Sequence, residues 1–218
     1  MILKGKRIAF LGDSITEGVG ASSNDTCYVE RVKQRAELAE ALNYGISGTR
    51  FAKQIAVSEP ASHDLDFVSR VDEMDKSVDA VVVFGGTNDF GHGDAPFGSF
   101  ADTSYDSFCG ACDELMRRLV ERYSDIPIVF MTPLHRLTED YPINEIGITR
   151  KVLSDYVDAI RRKAEKYSIP VLDLYKESGM QPNIEAQNKL YFADGLHPND
   201  VGHDRIAALV VDYLQKLV

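Results

Sequence analysis

Ile8-Ala9-Phe10-Leu11-Gly12-Asp13-Ser14-Ile15-Thr16-Glu17-Gly18 is the stretch from which the fold can be read. Four apolar residues run straight into a glycine, an acid and a serine. A short apolar run bounded by a turn signal reads as a buried strand, here over residues 7–11, and the residues after the turn start a helix. Ligands of open α/β sheets bind beyond the carboxyl ends of the strands, which is where Ser14 falls. The same residues also suit a plain strand-to-helix turn, with Asp13 or Ser14 as its N-cap. This stretch alone leaves both readings open.

Outward from it, strand and helix signals alternate. Residues 26–42 read as a helix, with Val29, Val32, Ala36 and Ala39 on one stripe, and residues 41–44 as a second strand ending in Gly45-Ile46-Ser47-Gly48. Residues 62–74 read as a helix carrying Leu65, Val68 and Val71. The strongest strand signal is residues 78–84, mostly apolar and β-branched as a strand buried on both faces should be, stopped by Gly85-Gly86. A glycine-rich segment comes next at 91–98, then a helix over 105–123, a strand over 126–131, an amphipathic helix over 149–167 and a strand over 169–174. An irregular segment runs over 175–198 before a last helix from about Asn199, with Ile206, Leu209, Val210, Tyr213, Leu214 and Leu217 inward. Such alternation means βαβ units, a parallel sheet and helices on both faces. No repeat, low-complexity tract or linker interrupts residues 1–218, so a single α/β domain is expected.

Composition narrows the partners. The 218 residues are 44% hydrophobic and 27% charged, ordinary for a soluble protein, with a formal net charge of -10. That surface repels phosphate backbones and anionic lipid, which argues against nucleic-acid and membrane partners. No apolar run approaches membrane-spanning length, and residues 1–7 are too few before the first strand for a signal peptide. Cys109 and Cys112 are spaced C-x-x-C but lack a second ligand pair and fall in a helical pattern, so with Cys27 they read as ordinary residues of a reducing, cytoplasmic compartment. Gly18-Val19-Gly20 is a poor dinucleotide fingerprint, since Ser23 occupies the place of the third glycine.

The loops past the strand ends share one rim of the sheet. They carry Asp13 and Ser14, then Asn43, Ser47 and Gly48, then Thr87, Asn88 and Asp89, then Thr132 and His135, and finally Asp194 and His197. A serine, amide or backbone donors, an acid and a histidine on one rim are what acyl transfer needs. Serine attacks only when a histidine takes its proton, the histidine is held by a carboxylate, and donors meet the developing oxyanion.

Four blocks of these residues resemble the SGNH hydrolases, the GDSL esterase/lipase superfamily. They are Gly12-Asp13-Ser14-Ile15-Thr16, Asn43-Tyr44-Gly45-Ile46-Ser47-Gly48, Gly86-Thr87-Asn88-Asp89 and Asp194-Gly195-Leu196-His197-Pro198, in order over almost the whole chain. The resemblance implies a three-layer αβα sandwich around a flavodoxin-like sheet of about five parallel strands, order 2-1-3-4-5. It implies Ser14 as nucleophile, His197 as general base and Asp194 as the acid that orients it. It places the oxyanion hole at the Ser14 and Gly48 N–H groups and the Asn88 side-chain amide. Elementary chemistry agrees: Gly48 has no side chain to block its N–H, Asn88 is a neutral donor, and Pro198 pushes His197 out of helical geometry.

The rival base is His135 and the rival acid Asp173, while His63, His92 and His203 read as surface or structural and Asp13 as a turn residue. The expected activity is a serine esterase acting on a small-molecule ester through an acyl-enzyme, without metal or cofactor. By resemblance the first substrates are O-acetyl carbohydrates, with lysophospholipid or thioester hydrolysis as the alternative and a nucleotide-binding module as the non-enzymatic one. Phe90, Phe97, Tyr141, Tyr191 and Phe192 in loops beside the rim suit a polar alcohol better than a lipid tail, which predicts a preference for acetyl over octanoyl esters. Oligomeric state is not legible in the sequence.

Overall fold

The apolar run before Gly12 becomes strand β1 (Arg7–Gly12), every residue of which is buried after Arg7. The computed structural model describes residues 1–217. Strands β2 (Glu40–Gly45), β3 (Ala80–Phe84), β4 (Ile128–Met131) and β5 (Val171–Leu172) join it in one five-stranded sheet, order β2-β1-β3-β4-β5. All four pairings are parallel. Helices α1 (Ser14–Glu17), α2 (Tyr28–Ala36), α3 (Phe67–Arg70), α4 (Thr87–His92) and α5 (Phe108–Arg122) fill the first connections. Helices α6 (Leu153–Lys166), α7 (Leu174–Glu177), α8 (Glu185–Tyr191) and α9 (Asp200–Lys216) complete the chain.

Two cores arise from the period-two alternation of strand side chains. Ala9, Leu11, Val81 and Val83 face one side and pack with residues of α3, α5 and α6, such as Phe67, Phe108 and Val157. Ile8, Phe10, Ala80 and Val82 face the other and pack with Val29 and Val32 of α2 and Ile206 and Val210 of α9. Strand β3 lies third in the order of five and is buried along its whole length, which is why its sequence is so uniformly apolar. On the first face, α5 and α6 share a buried ion pair: Lys163 Nζ lies 2.8 Å from Asp113 Oδ1, with the two side chains 0% and 3% exposed. Asp113 also accepts hydrogen bonds from Lys166 Nζ at 2.6 Å and the Tyr167 hydroxyl at 2.9 Å.

Several expected elements change length or kind. The helix expected from residue 26 is a short 3₁₀ turn over Asn24–Thr26 followed by α2, and the chain turns at Glu37 with a left-handed φ of 48° so that β2 can begin. Residues 62–74 are not one helix but two 3₁₀ turns flanking the four-residue α3, and Leu65 is exposed. The glycine-rich segment after β3 opens later than expected, because α4 occupies its first residues. The irregular segment before Pro198 holds α7 and α8. In α9, Leu209 and Tyr213 are only partly buried against the core. Cys109 and Cys112 are buried, free residues of α5, and Cys27 is likewise buried and free. No helix among the described residues is long and apolar enough to cross a membrane.

Candidate active site

Ser14 opens α1 immediately past the end of β1. Asp13 is its N-cap: the carboxylate accepts the Ile15 N–H at 3.1 Å, which satisfies one orphan donor of the helix start. Burial pushes the Asp13 carboxyl up to about 6, against that hydrogen bond and the nearby His197 and Arg70. The turn reading of Asp13 therefore holds, and it leaves Ser14 free to face the rim.

The serine meets a histidine from the far end of the chain. Ser14 Oγ lies 3.0 Å from His197 Nε2, and His197 Nδ1 lies 2.7 Å from Asp194 Oδ2. Asp194 Oδ1 also accepts the backbone N–H groups of Leu196, at 2.9 Å, and His197, at 2.7 Å. Burial works to raise the Asp194 pKa, but the His197 ring and these two N–H groups outweigh it and hold the carboxyl below its ordinary range. An ionised carboxylate only accepts, so Nδ1 carries the imidazole proton and Nε2 offers its lone pair to the serine hydroxyl. The D-x-x-H spacing makes this clasp local. Gly195 takes a left-handed φ of 84° inside it, and the Leu137 N–H donates to the Gly195 carbonyl at 3.0 Å, tying the loop to the segment after β4. Asn199 then caps α9 on Val201 and Gly202.

Three N–H donors lie just past the ends of β1, β2 and β3. Among the described residues, neither the Ser14 nor the Gly48 backbone N–H has a hydrogen-bond acceptor. Gly48 has a φ of 73°, and a Cβ there would overlap the His63 ring, so both conformation and space require glycine. Asn88, in the first turn of α4, gives one amide hydrogen to the Thr49 carbonyl at 3.1 Å and has its second free. Its side chain thus joins the Gly48 loop rather than capping its own turn.

The rival residues have other partners. His135 Nδ1 is held by Glu139 at 2.9 Å and its ring packs on Tyr175 at 3.8 Å between centroids. His203 is buried between α9 and α2, taking the Tyr28 N–H at Nδ1 and facing the Val19 carbonyl at Nε2. Asp173 caps α7 and pairs with Arg161 and the Thr132 hydroxyl. Asn43 and Ser47 hold the β2 turn, bonding the Thr16 carbonyl and Glu17 respectively. Three of the five loop aromatics expected beside the rim are taken up by the core. Phe90 and Phe192 are buried, Phe97 packs on Phe108 and Tyr156, and Tyr141 is well exposed. Apolar side chains the aromatic reading overlooked, Ile55, Val57, Ile143 and Ile146, are instead exposed in loops beyond β2 and β4.

A model of the GDSL-like lipase/acylhydrolase family matches residues 10–205, the span that holds Ser14, Gly48, Asn88 and His197. The chain belongs to this family. No curated protein matches it. A solved structure from Lactobacillus plantarum is 30% identical, with a TM-score of 0.83 and 99% of each chain covered. An acetyl xylan esterase is 19% identical, with a TM-score of 0.64, covering 95% of this chain and 99% of that one. A two-domain esterase active on acetylated mannans is 21% identical, with a TM-score of 0.60, covering 98% of this chain and 49% of that one.

Within this GDSL chain, three charged residues brace the donor loops. Asp89 accepts the Phe51 N–H at 2.9 Å and the Ala52 N–H at 3.0 Å, so α4 and the Gly48 loop keep one register. Arg70 of α3 reaches the carbonyls of Tyr44 and Gly12 and the Thr49 hydroxyl, strapping the ends of β1 and β2 to that loop. Arg50 bonds Asp64 and Ser58 at 2.7 Å each and the His63 carbonyl at 3.1 Å. Asp89 stands beside Asn88 in a visible motif and so had a signal. Arg50 and Arg70 had none, because their partners lie on distant loops.

Proposed function

We propose that this GDSL hydrolase is a serine esterase in which Ser14, His197 and Asp194 act as a triad on short-acyl esters of carbohydrates. The observation that carries the reading is the continuous hydrogen-bonded run from Ser14 Oγ through the His197 ring to Asp194. His197 Nε2 takes the hydroxyl proton as Ser14 Oγ attacks the ester carbonyl. The C–O π electrons move onto the carbonyl oxygen, which receives hydrogen bonds from the Ser14 and Gly48 N–H groups and the free Asn88 amide hydrogen. On collapse the bond to the alcohol breaks, and the imidazolium returns its proton to the leaving oxygen. Water, deprotonated by the same imidazole, then releases the acid and restores Ser14. Asp194 remains ionised throughout, in keeping with its lowered pKa, and stabilises the imidazolium.

The acetyl-sugar preference is supported by the named activities of two structural neighbours, on acetylated xylan and acetylated mannans. A lipid or thioester substrate is the second reading, favoured by the exposure of Ile55, Val57, Ile143 and Ile146. Hydrolysis of p-nitrophenyl esters of rising chain length, acetylated xylo-oligosaccharides, acyl-CoA and lysophospholipid separates the two. The expected order is acetyl over octanoyl, with turnover of the acetylated sugars. Faster cleavage of octanoyl than of acetyl esters would favour the lipid reading.

A further inference from the structure

Beside Gly48 lies a cavity of about 490 Å³ for which the proposed triad has no use. The His63 ring lies against Gly48, and the His92 ring centre is 5.8 Å beyond it. Both rings line the cavity, together with Arg50, Val57, Ser58 and Glu59. Its residues belong to the loop after β2, to α4 and to the loop after β4. The Gly48 loop and α4 pack on the sheet face of α3, α5 and α6 through Phe51 and Phe90, and the cavity adjoins that loop through His63.

Charge and tautomer decide what fits. An arginine can only donate, so the 3.1 Å contact from Arg50 Nη1 makes His92 Nδ1 an acceptor and leaves the proton on Nε2. Burial, helped by Arg50, pushes His92 down to about 4, which keeps the ring neutral. Nε2 has no partner among the described residues. Ser58 Oγ accepts from Arg50 and its hydroxyl is taken up by Asp64, which leaves His92 Nε2–H as the neutral donor. Arg50 is neutralised by Asp64, and Asp94 and Glu145 also border the space, so an anion would meet carboxylates on several sides. Ala56, Val57 and Ile146 supply an apolar wall. A fixed neutral donor in His92, a carboxylate acceptor in Glu59 and an apolar wall match the hydroxyl edge and C–H face of a pyranose.

We propose that this cavity binds the sugar unit next to the esterified one in an acetylated oligosaccharide, with His92 Nε2–H donating to a sugar hydroxyl. This rests on the carbohydrate reading above. The test compares kcat/KM for acetylated xylotriose, acetylated xylose and p-nitrophenyl acetate in the wild type, His92→Phe, His92→Gln and Val57→Trp. The wild type is expected to prefer the trisaccharide over the monosaccharide. His92→Phe should lower that ratio about tenfold, chiefly through KM, as the loss of one hydrogen bond to a substrate hydroxyl would. His92→Gln, which restores a neutral donor, should recover most of it. Val57 is 85% exposed, so tryptophan there crowds the cavity without touching the core, and it should lower the ratio even if His92→Phe fails to fold. Turnover of p-nitrophenyl acetate with neither sugar ester would overturn the carbohydrate reading and this assignment with it. Turnover of both sugar esters with no trisaccharide preference, or a preference that folded His92→Phe or Val57→Trp leaves intact, would overturn the cavity assignment alone.

Discussion

Asn88 separates oxyanion stabilisation from architecture at a single side chain. Its amide holds the Thr49 carbonyl with one hydrogen and has the other to spare. On the proposed mechanism Asn88→Ala deletes a donor and should cost on the order of 10² to 10³ in kcat. Asn88→Asp deletes it too and adds a negative charge where the intermediate develops its own, so it should be slower still. Both are measured on p-nitrophenyl acetate, with thermal melts to show that they fold; near wild-type kcat in the aspartate variant would make Asn88 purely structural. The neighbouring Asp89 gives a pH signature. Burial pushes its carboxyl up to about 7, against the Ala52 and Phe51 N–H groups that bond it. A carboxyl with a raised folded pKa binds its proton more tightly folded than unfolded. Its stabilisation is full below the unfolded value of about 4 and is lost as pH rises through about 7. The Tm difference between wild type and Asp89→Asn should therefore shrink steadily from pH 4 to pH 8. Parallel Tm curves would show that Asp89 does not titrate there.

Elements differ in how far neighbours and how far distant contacts decide them. α5 and α6 are joined by Lys163 and Asp113, both almost wholly buried, while Arg117 on α5 is partly exposed and pairs with Glu114 and the exposed Glu121. Asp113→Ala strands the buried Lys163 ammonium, whose other partner is the neutral Asp102 carbonyl, so it should cost about 3–5 kcal/mol, whereas Arg117→Ala should cost less than about 1 kcal/mol. Urea unfolding of both variants checks this, and equal losses would contradict it. The same contrast explains which elements were legible. β3 was, because a strand buried on both faces must be apolar and β-branched throughout. α8 was not, because none of its residues is buried and no apolar stripe marks it. Residues 62–74 misled, because the periodic apolar spacing spans two 3₁₀ turns and a four-residue helix, Leu65 is exposed, and the buried polar residue is Arg70, which straps the strand ends.

Across the whole molecule, the site is assembled by topology. Four blocks separated by tens of residues meet because parallel strands deliver every loop to one rim, and β1 lies between β2 and β3, whose loops carry Gly48 and Asn88. The strands could be anticipated because each is apolar, and the sheet order because the four blocks resemble the family's; the residues proposed as nucleophile, base and donors stand in those local motifs. The bracing arginines, the cavity beyond Gly48 and the exposed isoleucines could not, since they depend on contacts between loops that carry no periodic signal. On the proposed mechanism Ser14 alone carries the acyl group and His197 activates it. Stoichiometric reaction with a p-nitrophenyl phosphonate, with mass spectrometry of the labelled peptide, tests this most directly. One equivalent on Ser14, abolished in Ser14→Ala and strongly slowed in His197→Ala while His135→Ala labels normally, is the expected result. Labelling elsewhere, or ester hydrolysis that survives in Ser14→Ala, would contradict it.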